Sequence, residues 1–129
     1  MPSFLSLLFL FVLGHAHAGN ISAADQKQIA LNINDVYFKE PLFASENTIF
    51  VVNGMLPNTC YSFHSIEVKH TDAFRHEVFV YANVKHAVCQ SYLRPFTEEG
   101  SLGQLQAGRH LVVFLASDGT GFEKSILVQ

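Results

Sequence analysis

The sequence predicts an all-β fold, a single immunoglobulin-like antiparallel β-sandwich of about seven strands. Three observations carry that expectation. Apolar residues recur at period two in short segments, and Gly, Pro, Asn-Gly and Asp-Gly punctuate those segments. No stretch holds a sustained 3.6-residue period between caps; residues 23–30, with Ser22 as N-cap, come nearest and have little apolar face.

Taken in order, Ile29, Leu31 and Ile33 alternate with Ala30 and Asn32, as in a half-buried strand. Residues 35–47 are the least regular and read as a long loop or an edge strand broken at Pro41. Residues 48–52 are β-branched and aromatic, and Asn53-Gly54 and Pro57-Asn58 close them. Residues 61–70 form the next extended segment, and residues 77–84 give the strongest strand signal of the chain. Residues 110–115 and 122–128 are joined by Ser117-Asp118-Gly119-Thr120-Gly121, where Asp-Gly supplies a hairpin turn.

The start of the chain reads differently. Residues 1–18 hold no Lys, Arg, Asp or Glu, and residues 4–13 are an almost unbroken apolar run. Ala16-His17-Ala18 follows, the small-x-small pattern of signal-peptide cleavage, which predicts a leader over 1–18 removed before Gly19. The run is too short to span a bilayer, which takes about 18 apolar residues, so no transmembrane segment is expected. Residues 19–129 suffice for one domain. A formal net charge of −3 is too weak and too mixed to argue for nucleic acid or an anionic membrane as partner. Asn20-Ile21-Ser22 is a glycosylation sequon only in a eukaryotic host.

Two cysteines in an exported chain pair as one disulfide, here Cys60 with Cys89. They bracket the two segments at 61–70 and 77–84. With 71–75 as the hairpin loop, His70 faces His76, Val68 faces Val78, Ile66 faces Val80 and His64 faces Ala82. That register puts the apolar pairs on one face. A bend near Ala87 then brings Cys89 back to Cys60. A redox-active pair would want C-x-x-C spacing, which is absent.

The pattern Gly54-x-Leu56-Pro57-x-x-Cys60, an extended hairpin, Cys89, Pro95-Phe96 and Leu102-Gly103-x-Leu105-x-x-Gly108 resembles a module of exported bacterial proteins. These are small, often lipid-anchored β-sandwich domains, and the resemblance covers about residues 49–129. It implies a fold and a compartment, and no chemistry. Two departures stand out. His110 occupies the place of a usual Tyr two residues after the Gly, which bears on a corner hydrogen bond. No lipid-attachment Cys is present, which implies a soluble protein.

Candidate sites follow from the register. His70 and His76 directly opposite one another could hold Cu²⁺, Ni²⁺ or Zn²⁺ with Asp72 or Glu77 nearby; the competing reading is two solvated histidines at a hairpin tip. Tyr61, Phe63, Phe79 and Tyr81 share the parity opposite to Val78 and Val80, so they could form an outward aromatic contact patch. With the faces reversed they would instead be core. No Gly-x-Ser-x-Gly is present, and Glu98-Glu99 would point to opposite faces of a strand. The expectation is therefore a non-catalytic exported module contacting a protein or cell-envelope partner, an enzyme inhibitor being one form. A small-ligand or metal binder using the histidines is the alternative, an enzyme the third choice, and no cofactor is implied.

Overall fold

The computed structural model describes residues 26–129. The expected leader, the cleavage site before Gly19, the sequon at Asn20 and the first part of residues 23–30 lie outside the described residues. Eight strands follow in order: β1 (Gln26–Ala30), β2 (Asp35–Phe38), β3 (Asn47–Leu56), β4 (Tyr61–Asp72), β5 (Arg75–Lys85), β6 (Arg94–Gln104), β7 (Gly108–Leu115) and β8 (Gly121–Val128). They form a five-stranded and a three-stranded sheet, so the chain is an all-β sandwich. The nearest helical candidate ends as strand β1.

The larger sheet is organised around β5. Strand β4 pairs along one edge of β5 from Tyr61↔Val84 to Asp72↔Arg75. The other edge is shared: β1 takes residues 81–85, and β7 takes residues 75–78. The β5–β7 pairing is parallel, so this sheet is mixed where the sequence suggested antiparallel pairing throughout. Strand β8 closes the sheet against β7. The second sheet is β2-β3-β6, and the chain crosses into it between β1 and β2. Leu31 N–H still donates to Val80 C=O, while Asn34 N–H already donates to Asn53 C=O.

One strand matches an alternative the sequence left open, and one was not legible. β2 is the edge strand within 35–47, only four residues long. β6 was missed because its core-facing parity reads Phe96, Glu98, Gly100, Leu102, a pattern broken by a charge and a glycine. Both interruptions have structural partners. Gly100 lies opposite Phe50, and Gly54 lies opposite Phe96, and in each case the ring covers the space a Cβ would need. Phe50 is fully buried and packs its ring against Phe38 and Phe114, with centroids 6.0 and 5.5 Å away. Edge and tilted contacts of this kind add to the gain from area burial. Val36, Val52, Val78, Val80, Val112 and Val128 fill the same core.

The expected hairpin register holds from Ile66↔Val80 through His70↔His76. It then slips. Phe63, not His64, pairs with Ala82, so His64 is the extra residue of a β-bulge. A one-residue slip reverses the face of everything beyond it.

Gly54→Ala should lower stability by about 1–3 kcal/mol, because its Cβ must displace the Phe96 ring. Denaturant unfolding checks this, and an unchanged midpoint would contradict the packing.

Candidate functional site

The histidines at the β4–β5 turn are part of a longer chain. His70 Nδ1 lies 2.6 Å from His76 Nδ1, and His76 Nε2 lies 2.8 Å from His110 Nδ1. His110 Nε2 in turn lies 2.7 Å from the Gln106 carbonyl oxygen. A carbonyl only accepts, and this fixes the tautomers from the inside out. His110 Nε2–H donates to Gln106, which leaves its Nδ1 bare. His76 Nε2–H donates to that nitrogen, so His76 Nδ1 accepts from His70 Nδ1–H. His70 is exposed, whereas His76 and His110 are fully buried. His110 thus bonds back to a backbone carbonyl four residues upstream.

This geometry bears on the expected His70–His76 ligand pair. Two imidazole nitrogens bound tetrahedrally at about 2.0–2.1 Å stand about 3.3 Å apart. At 2.6 Å the two nitrogens share a proton, and a shared metal ion would require the rings to turn apart. Among the described residues, no group of three or more His, Cys, Asp or Glu is placed to hold a metal ion. A cavity of about 200 Å³ lies beside the pair, lined also by Asp72, Ala73 and residues 104–106.

Burial lowers the His76 pKa from 6.5 to about 4, helped by the neighbouring His70 and His110 and opposed by Asp72. His76 therefore stays neutral in the folded chain under conditions where the unfolded chain takes up a proton. Its contribution to stability is complete above pH 6.5 and is lost progressively as pH falls toward about 4.

The four aromatics expected on one outward face are divided. Phe79 and Tyr81 do point away from the core, half-buried, with rings stacked at 6.0 Å and 9°. Partial burial and the adjacent Glu67 carboxylate raise the Tyr81 pKa. Tyr61 and Phe63 instead pack against the core cluster, because the bulge at His64 turns them to the other face. A four-ring patch is thus corrected to a two-ring stack.

The most exposed apolar groups lie at the far end of the sandwich from the histidines. Cys60 and Cys89 are bonded, with Cα atoms 5.5 Å apart, and Cys60 Sγ approaches the Ala87 carbonyl, placing the expected bend. The β5–β6 connection is also fixed by its backbone. Thr59 N–H donates to Gln90 C=O, and Gln90 N–H donates to Thr59 Oγ1. Arg94 reaches the Asn58 and Tyr61 carbonyls through one guanidinium nitrogen. On this anchored connection Val88 is 106%, Leu93 64% and Tyr92 61% exposed, with Met55 39% exposed in the neighbouring strand β3. Exposed apolar groups gathered together mark contact surfaces more often than scattered ones do. Sequence reasoning missed this group. The available signal was three large apolar residues lying next to a paired cysteine and outside any period-two run.

Lowering pH from about 6.5 to about 4 should reduce the melting temperature of the protein more than that of His76→Gln, which lacks the titrating ring. Parallel slopes in the two pH profiles would show that His76 does not carry the effect.

A family model described as the ORF11 beta-sandwich domain matches residues 50–128, from within β3 to the end of β8. No curated protein and no solved structure matches the chain.

Proposed function

The chain belongs to the ORF11 beta-sandwich domain family, and we propose that within it this protein is an exported, non-catalytic binding module contacting a protein or cell-envelope partner. One observation carries the reading: Val88, Tyr92 and Leu93 project from a connection tethered by Cys60–Cys89 and by the Thr59–Gln90 pair of hydrogen bonds. Ordering a loop on binding costs about 0.5–1.5 kcal/mol per immobilised side chain, and a covalently tethered loop has already met part of that cost. Aromatic and large aliphatic anchors dominate contact energetics, and here they stand free of the core.

The disulfide supports the compartment, since such bonds persist in oxidising environments and are rare in reducing ones. The expected leader over residues 1–18 supports it as well. The Phe79–Tyr81 stack lies on a sheet face rather than at the tethered end, so it offers a second, flatter contact area. Projection distinguishes the loop. A protruding apolar connection fits a concave or yielding surface, the geometry that an inhibitor loop also uses.

Replacing Val88, Tyr92 and Leu93 together by Ser should leave the melting temperature close to that of the parent, because these side chains contact little of the fold. The same variant should lose retention of a cell-envelope fraction that the parent holds. Equal retention by both proteins would refute the assignment of this loop.

A further inference from the structure

The tethered end carries a second property besides its apolar tip: an excess of positive charge. Its described segments are residues 26–28, 55–62 and 83–96. Together they contain Lys27, Lys85 and Arg94, with His86 beside the tip, and the carboxylate of Asp118 from the β7–β8 turn borders them where it lines a cavity with Met55, Pro57 and Tyr61. The chain as a whole has a formal net charge of −3, so cations are concentrated here against the balance of the molecule. Lys27, Lys85 and His86 are exposed, while Arg94 is half-buried by its bonds to the Asn58 and Tyr61 carbonyls. Lys85 immediately precedes the connection, and Gln26, beside Lys27, pairs with it across β1 and β5.

The connection itself has a matching composition. Residues 86–93 read His-Ala-Val-Cys-Gln-Ser-Tyr-Leu, free of Lys, Arg, Asp and Glu, with Lys85 and Arg94 at its two ends. Aliphatic groups prefer the acyl region of a bilayer, a tyrosine prefers the boundary where its ring is apolar and its hydroxyl wet, and cations prefer the anionic headgroup layer. Exposed Val88 and Leu93, exposed Tyr92 and the flanking cations put all three kinds of group on one connection. A protein cleft matched to this tip would need apolar complementarity but no ring of negative charge. The bilayer surface supplies both.

We infer that the Cys60–Cys89 end of the sandwich docks on an anionic lipid surface, with Val88, Tyr92 and Leu93 entering the headgroup–acyl boundary while Lys27 and Lys85 lie over the headgroups. This rests on the binding reading above and names its partner. The contact is peripheral. Three side chains on a loop bind reversibly, as single weak anchors do, and charge supplies the second attraction that makes the association measurable. The loop offers no backbone extension long enough to cross a bilayer. Because exposed charges are screened beyond about 8 Å in physiological salt, the docking is salt-sensitive.

Sedimentation of the disulfide-bonded protein with vesicles tests this. One set contains phosphatidylcholine alone and the other phosphatidylcholine with phosphatidylglycerol. The parent should bind the mixed vesicles about tenfold or more tightly than the neutral ones, and that preference should shrink in high salt. Val88→Ser/Tyr92→Ser/Leu93→Ser should weaken binding to the mixed vesicles by about tenfold or more. Lys27→Glu/Lys85→Glu should abolish the preference for anionic lipid while leaving the apolar tip in place. Absence of binding to either vesicle, or binding indifferent to the triple substitution, overturns the inference. If vesicles fail but the triple variant still loses an envelope protein that the parent retains, the partner is a protein: the lipid assignment falls and the binding module stands. If neither vesicles nor an envelope fraction distinguishes the two proteins, both readings fall together.

Discussion

Strand β5 is the constraint on which the rest of the molecule depends. Its one edge is occupied along its length by β4, and its other edge is divided between β1 and β7. Every strand of the larger sheet except β8 therefore hydrogen-bonds to it, and β8 depends on it through β7. Its inward side chains, His76, Val78, Val80 and Ala82, are all fully buried. Both ends of the sandwich inherit their geometry from this strand: His76 is its second residue at one end, and Lys85 leads from it into the tethered connection at the other.

The two ends are built by opposite means. At the β4–β5 turn a polar chain runs inward from exposed His70 through His76 and His110 to a backbone carbonyl, and each link needs its neighbour's tautomer. A fully satisfied buried network of this kind specifies one arrangement, and a proton added in the wrong place breaks it. At the Cys60–Cys89 end a covalent bond and a few backbone contacts hold a connection whose large side chains meet little of the protein. One end is closed upon itself, and the other is left with surface to offer.

How much of this could be read in the sequence varied with the kind of interaction. Alternation set Val78 and Val80 on one face and Phe79 and Tyr81 on the other, because period two is a direct consequence of strand geometry. It left open which face is inward; the fold buries the valines. The same rule misplaced Tyr61 and Phe63, since a bulge at His64 reverses parity without changing composition. β6 escaped notice because Gly100 and Glu98 interrupt its apolar side, and the glycine is explained only by the Phe50 ring on the opposite strand. The histidine chain was half visible. His110 alternates with Val112 and Phe114, which marks it as an inward polar group in need of a partner, but the parallel β5–β7 pairing that supplies His76 is a long-range feature. Exposure of Val88, Tyr92 and Leu93 was least legible, for it depends on how a connection folds back onto Thr59. The Gly-x-Leu-Pro and Pro-Phe motifs acquire a physical meaning here, because Phe96 lies over Gly54.

Hydrogen exchange resolved by residue, with the disulfide intact and then reduced, tests most directly whether a self-sufficient sheet presents a tethered tip. Amides of residues 78–82 should exchange slowest in both states, by opening only with the whole fold. Thr59 and Gln90 amides, bonded to one another's residue, should be protected while Cys60–Cys89 is intact and should lose that protection on reduction. Exchange at Gln90 as fast as in an unfolded chain with the bond intact would contradict the account, because the apolar tip would then not be held in place at all.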